Sequence, residues 1–326
     1  MSRSSIRSYV FFCAIALVGA ALPSSSSGAA TPKELLVAGH VDEVIDALQQ
    51  QTTRAATNAE SFNLLCRAYF MAEQWDRGIA ACERAQSLDP QKSLYTLWLG
   101  RVYGEKAARV SFVSAASLAG KVRNSFERAV ELDPKSTEAR TDLAEFYCEA
   151  PGIVGGGKDK ARAQADALMT LNPPRAHWVL ARIAEKDKKP SDAEREYRAA
   201  VTASGSEART WLDLANFLRY ANRLDEMEQA IRTLESSPVE HREALMNAGA
   251  ILFRAGRNFP LATRLLRRYL ADGPVEEGPA SQAHELLGQL LEKQGDRRAA
   301  AEEYRAALSL FRANRHAQEG LKRVEP

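Results

Sequence analysis

Long hydrophobic runs, an excess of one charge and metal-binding clusters are what this sequence lacks. Its most apolar stretch, Tyr9 to Leu22, is about 14 residues, short of the roughly 20 that cross a bilayer as a helix. Lys and Arg number 44 against 42 Asp and Glu, so no global field gathers nucleic acid or an anionic membrane surface. The five histidines, His40, His177, His241, His284 and His316, are scattered, with no HExxH and no cysteine-rich spacing. A metal site is therefore not expected. No GxSxG elbow is present, no cysteine sits in a protease context, and no cofactor is implied.

The apolar stretch is preceded by Arg3 and Arg7 and followed by Pro23, a serine run and Gly28-Ala29-Ala30. A charged start, a short apolar centre and a small-residue exit read as a secretory leader over residues 1–30. The expected location is a bacterial periplasm or the medium, the alternative being an uncleaved leader that anchors the chain in the inner membrane. Without Arg3 and Arg7 the charges balance at 42 against 42, and no further span is expected. Cys13 lies inside the apolar run rather than at its small-residue end, so lipidation is not expected. Three cysteines then remain, Cys66, Cys82 and Cys148, and an odd number leaves at least one thiol unpaired within the chain. Cys66 and Cys82 fall on the two helices of one hairpin, where a disulfide is possible. The preferred reading is that both are small buried apolar residues.

What the chain does have is a repeated phrase. Leu65-Cys66-Arg67-Ala68-Tyr69 returns as Leu99-Gly100-Arg101-Val102-Tyr103 and again as Leu143-Ala144-Glu145-Phe146-Tyr147. Phe62, Leu65 and Tyr69 recur at three and four residues, which sets them on one helical face. Gly78, Cys82 and Ala85 allow a second helix to approach, and Pro90 ends it. A period in the mid-thirties marks a stack of helical hairpins. The pattern resembles the tetratricopeptide repeat, over about Ala59 to Arg323. The resemblance implies an all-α, right-handed superhelical solenoid of about seven hairpins over 59–313. Residues 31–58 and 314–326 read as capping helices. Two insertions stand out: the alanine-rich 107–121, expected to lengthen helices, and 151–158. Leu168, Met227 and Leu234 depart from the pattern. Ala193 to Ala200 and Ala300 to Ala307 are near-copies of one another, the trace of an internal duplication.

Gly152-Ile153-Val154-Gly155-Gly156-Gly157-Lys158 has phosphate-loop spacing, GxxxxGK. Such a loop needs a preceding strand and a Ser or Thr after the lysine. Here a helical unit precedes it and Asp159 follows, so an ordered turn between helices is expected. Glu145 and Glu149 share a helical face, which reads as solvated rather than catalytic.

The family resemblance implies that the first helix of each hairpin lines a concave groove. Carried onto this chain, its contact positions include Asn63, Arg67, Phe70, Trp98, Arg101, Glu145, Trp178, Arg182, Asn216, Arg219 and Tyr220. Aromatic anchors among arginines suit a protein-binding surface, and the arginines can grip carboxylates bidentately. The positions do not reproduce the lysine and asparagine pattern of the carboxylate clamp in chaperone-binding members. The function this implies is a non-catalytic scaffold that binds a protein or peptide. The alternatives are an enzyme or enzyme accessory with its site at the two insertions, and a self-assembling envelope component. On the scaffold reading, charge reversal at Arg67 and Arg101 weakens binding without unfolding the chain.

Overall fold

In a computed structural model the described residues are 30–54 and 56–325; the leader expected at residues 1–30 thus lies almost wholly outside them. The first pair of helices is α1 (Pro32–Ala38) and α2 (Val41–Arg54). Seven hairpins follow, each an A helix and a B helix: α3 (Ala59–Met71) with α4 (Trp75–Leu88), α5 (Ser93–Ala107) with α6 (Phe112–Leu132), α7 (Thr137–Glu149) with α8 (Lys158–Leu171), α9 (Pro173–Lys186) with α10 (Pro190–Ala203), α11 (Ala208–Tyr220) with α12 (Leu224–Ser236), α13 (Glu243–Ala255) with α14 (Phe259–Asp272), and α15 (Ala280–Lys293) with α16 (Arg297–Leu310). The last helix is α17 (Arg315–Val324). The fold is an all-α tetratricopeptide-like superhelix, with no strand among the described residues.

Local chemistry sets the helix ends. Thr31 and Glu34 form a reciprocal capping box at α1, and the side chains of Asn58, Ser136, Asn172, Asp296 and Asn314 each accept from a first-turn amide, satisfying donors that a helix leaves open. The B helices α4, α6 and α8 stop at Leu88, Leu132 and Leu171, just ahead of Pro90, Pro134 and Pro173. Residues 107–121 form the end of α5, a short turn and the first turns of a 21-residue α6.

Within a hairpin the two helices close where a residue is small. A Cβ on Gly100 would lie 2.5 Å from the Phe126 ring, and one on Gly288 would lie 2.7 Å from Tyr304. Leu168, Met227 and Leu234, the departures from the repeat pattern, are fully buried, so the B helices keep their register and fill the larger space. The buried residues form two clusters, Leu36 to Ile183 and Ala181 to Val324, and Trp178 packs against both.

Polar bonds recur across the stack. In the first half, the tyrosine of an A helix reaches the preceding B helix twenty residues back: Tyr69 Oη accepts from Gln49 at 2.7 Å, Tyr103 donates to Glu83 at 2.5 Å, and Tyr147 donates to Glu127 at 2.7 Å. The duplicated hairpins α9–α10 and α15–α16 place theirs inside the hairpin instead. Tyr197 donates to Glu185 and Tyr304 to Glu292, and His177 meets Glu196 as His284 meets Glu303.

Cys66 and Cys82 are joined in a disulfide, with Cα atoms 5.2 Å apart. This corrects the preferred sequence reading: the positions that pack α3 on α4 face each other closely enough to bond. Cys148 is free and buried, and burial pushes its thiol up to about 11.

Burial, reinforced by carboxylate neighbours, raises the phenol pKa of Tyr103, Tyr147, Tyr197 and Tyr304 above the ordinary 10.0. The native state thus favours the neutral phenol, a contribution complete below pH 10 and lost as the pH climbs through the folded values. The denaturation midpoint should fall as the pH rises above 10, and less steeply in Tyr103→Phe or Tyr147→Phe. The disulfide closes a short loop, so reductant should lower unfolding free energy by about 3 kcal/mol. Cys82→Ser should abolish that response in a denaturant titration and Cys148→Ala should not.

Candidate functional site

Successive A helices touch one another, α3 with α5, α7 with α9, α11 with α13 and α13 with α15, so they form the inner wall of the superhelix. Side-chain ion pairs bridge that wall from helix to helix. Arg101 of α5 donates from Nε to Asp142 and from Nη2 to Glu138 on α7, both at 2.7 Å. Glu149 of α7 receives Arg182 at 2.6 Å and Lys186 at 2.5 Å from α9. Arg175 of α9 meets Asp213 of α11 at 3.3 Å, and Arg209 of α11 lies 3.7 Å from Glu243 of α13.

The acids of α7, Glu138, Asp142, Glu145 and Glu149, run at spacings of four, three and four, which is one helical face. Desolvation raises the pKa of Asp142 and Glu145, and the neighbouring arginines oppose it. Water reaches Glu145, yet protein surrounds it on the inner wall and it has no ion-pair partner among the described residues.

Aromatic rings are interleaved with this ladder. Trp98 is buried, with the Arg67 and Arg101 guanidiniums 5.3 and 4.9 Å from its ring and Phe70 edge-on at 5.5 Å. Trp178 is half-buried between Arg175, at 4.2 Å, and Arg182, at 6.0 Å. Stacked guanidinium and indole planes support one another while leaving the fork of the arginine free to bond.

The superhelix also closes on itself. The connection between α14 and α15 reaches back to α3, where Arg67 Nε donates to Glu276 Oε1 at 2.5 Å and Nη2 to Oε2. Both side chains are largely buried, 15% and 7% exposed. Tyr269 holds this connection in shape, its hydroxyl accepting from the Val275 amide at 2.8 Å and donating to the Gly278 carbonyl. The Gly39 turn lies against Ala280, and Asp42 of α2 accepts from the Arg312 amide at 2.7 Å and its Nε at 3.1 Å.

These contacts divide the eleven expected groove residues. Asn63 is buried, its Nδ2 without a partner, and Trp98 is buried as well. Arg67, Arg101 and Arg182 are engaged by the protein's own carboxylates, and Phe70 packs on Trp75 and Trp98. Trp178 and Asn216 are half-buried, Glu145 is reachable, and Tyr220 is 71% exposed beside Arg219. The open stretch of inner wall thus runs from α7 to α13. Charge reversal at Arg67 or Arg101 would break internal ion pairs, so any loss of binding in those variants would come with a cost in stability.

Neither insertion gathers polar groups. The Gly152–Val154 turn is a single turn of 3-10 helix. The Gly156 and Gly157 amides donate to the Pro151 and Tyr147 carbonyls, and Lys158 pairs with Asp187. A phosphate would find those two donors already committed. Ile153, Phe112 and Val113 are exposed. Among the described residues no three His, Cys, Asp or Glu converge as metal ligands, and no helix is long and apolar enough to cross a membrane.

Residues 155–208 and 281–314 match models of the tetratricopeptide repeat, so the chain carries such repeats. The crystal structure of yeast Tom70 is similar, at 16% identity and a TM-score of 0.56 over 87% of this chain and 58% of that one. TTC0263, a thermophilic TPR protein of Thermus thermophilus, is 14% identical with a TM-score of 0.46, over 55% of this chain and 91% of that one. A tetratricopeptide repeat protein from Parabacteroides merdae is 13% identical with a TM-score of 0.41, over 88% and 93%. At 16% identity the likeness to Tom70 is one of fold alone. No curated protein sequence matches the chain.

Removing one partner of a buried pair leaves an uncompensated charge, at about 3–5 kcal/mol. Arg67→Glu and Glu276→Arg should each destabilise the fold by that order. The double swap should recover a large part of the loss in equilibrium unfolding.

Proposed function

We propose that this protein is an exported, non-catalytic scaffold that binds another protein along the inner wall of its superhelix. The observation that carries the reading is the aligned set of A helices, whose open stretch offers Trp178, Asn216, Arg219 and Tyr220 on a wall already rigid through its ion pairs. A preorganised surface loses little freedom on binding, and half-exposed aromatics beside arginines are the composition of binding hot spots. The disulfide between Cys66 and Cys82 supports export, since such bonds persist in oxidising compartments. Self-assembly through free ends is disfavoured by the contact of α2 with the segment before α17, which engages one end with the other.

Site-specific photocrosslinking in the native host tests this. A benzophenone residue at Tyr220 or Trp178 should capture a discrete protein partner, identified by mass spectrometry. The same residue at Arg298, 92% exposed on α16, should not. Equal capture from all three positions, or none from any while the protein is correctly exported, would overturn the reading.

A further inference from the structure

On the inner wall, from α5 to α11, Arg101, Arg175, Arg182 and Arg209 each meet a carboxylate. Two arginines further along do not. Arg219, in the last turn of α11, and Arg254, in the last turn of α13, have no carboxylate within ion-pair distance among the described residues. The Nε of Arg219 is buried without a hydrogen-bond partner, and its Nη2 donates only to Asn216 Oδ1, at 3.3 Å. Its guanidinium lies over the Tyr220 ring, 4.1 Å from the centroid. The two helices are in contact, and the charged and titratable groups that act on Arg254 are Arg219 and Tyr220.

Helix C-termini favour cations, and that accounts for an arginine at either place. It does not satisfy the Arg219 Nε, because a buried N–H with no acceptor costs about 1–3 kcal/mol. Nor does it explain two like charges side by side on a wall whose other arginines are neutralised. An anion laid against the two guanidiniums would offset the repulsion between them.

We propose that Arg219 and Arg254, with Asn216 and Tyr220, form a binding site for a carboxylate of a partner protein, an aspartate or glutamate side chain in an acidic segment laid along the inner wall. The inference rests on the groove reading and names the chemistry of its partner. The terminal nitrogens of Arg219 donate to one carboxylate, a charge-assisted contact stronger than a neutral hydrogen bond, while its buried Nε stays out of reach of the partner. Arg254 adds a second positive charge, and the Tyr220 ring lies against the Arg219 guanidinium. The occupant is anionic because the site is cationic and the neighbouring wall is internally neutralised.

The test follows the Arg Nε–Hε resonances of the full-length mature protein by NMR, with an acetylated and amidated triglutamate peptide as probe. The triglutamine peptide and inorganic phosphate serve as comparisons. Triglutamate should shift the Arg219 resonance saturably and triglutamine should not. Arg219→Gln and Arg254→Gln should each weaken triglutamate binding at least tenfold. Arg219→Lys should fall between, and Arg264→Gln, a surface pair with Glu235 on α14, should leave it unchanged. No saturable shift, equal weakening in Arg264→Gln, or tighter binding of phosphate than of triglutamate would each overturn the proposal. Crosslinking to a partner from Tyr220 that is insensitive to Arg219→Gln and Arg254→Gln would sink the carboxylate site and leave the groove reading standing.

Discussion

A hairpin of two helices cannot cover its own apolar face, and the neighbour that must cover it determines the rest of this molecule. Each A helix packs on its own B helix through a small residue and on the next hairpin through large ones. The buried residues therefore form a chain of contacts rather than a ball. Trp178 belongs to both clusters, so the α9–α10 hairpin is where the two halves of the core become one. The side of each A helix that faces neither neighbour is left for the inner wall, where packing constrains fewer of the residues.

What occupies that wall is mostly charge, and its arrangement is specific. Isolated surface ion pairs contribute little. Those between Arg101 and Asp142, Arg175 and Asp213, or Arg182 and Glu149 are different in kind, because each joins one hairpin to the next and is partly withdrawn from water. A one-residue slip of any A helix would separate several of them at once. Apolar packing gives the stack its stability, and the charges add register. The Arg67–Glu276 pair applies the same device across the superhelix, where it holds α3 against the connection before α15 and limits how far the two ends can spread.

The architecture was legible because it is periodic. Leu65, Leu99 and Leu143 sit in helices at the same depth, and the prolines after the B helices stand where the helices end. Even the mismatched residues Leu168, Met227 and Leu234 were misfits of size and not of place. The site was less legible, for a physical reason. Groove positions can be counted along a repeat, but whether an arginine there is free depends on a carboxylate set by the superhelical turn. Glu276 lies 209 residues from Arg67, and no local pattern marks it. The acids of α7 could have been found, since their spacing already puts four carboxylates on one face opposite a run of arginines. The Cys66–Cys82 bond lay between these cases: the hairpin brought the residues near, and only the distance between their backbones decided that they bond.

The internal duplication separates what the hairpin needs from what the wall does. The α9–α10 and α15–α16 hairpins keep the same polar pairs at one fixed interval: His177 with Glu196 and His284 with Glu303, Glu185 with Tyr197 and Glu292 with Tyr304. These bonds lie between the two helices and are part of the fold. At the same interval the wall residues differ throughout. Arg175, Trp178 and Arg182 of α9 become Gln282, Glu285 and Gln289 of α15. One copy presents stacked arginines and an indole, and the other presents amides and a carboxylate. Requirements of packing were met identically in both copies while the inward-facing chemistry went separate ways. That divergence is expected of a surface whose content answers to something other than folding, and it supports looking for the function of this protein on the inner wall rather than in the hairpins that build it.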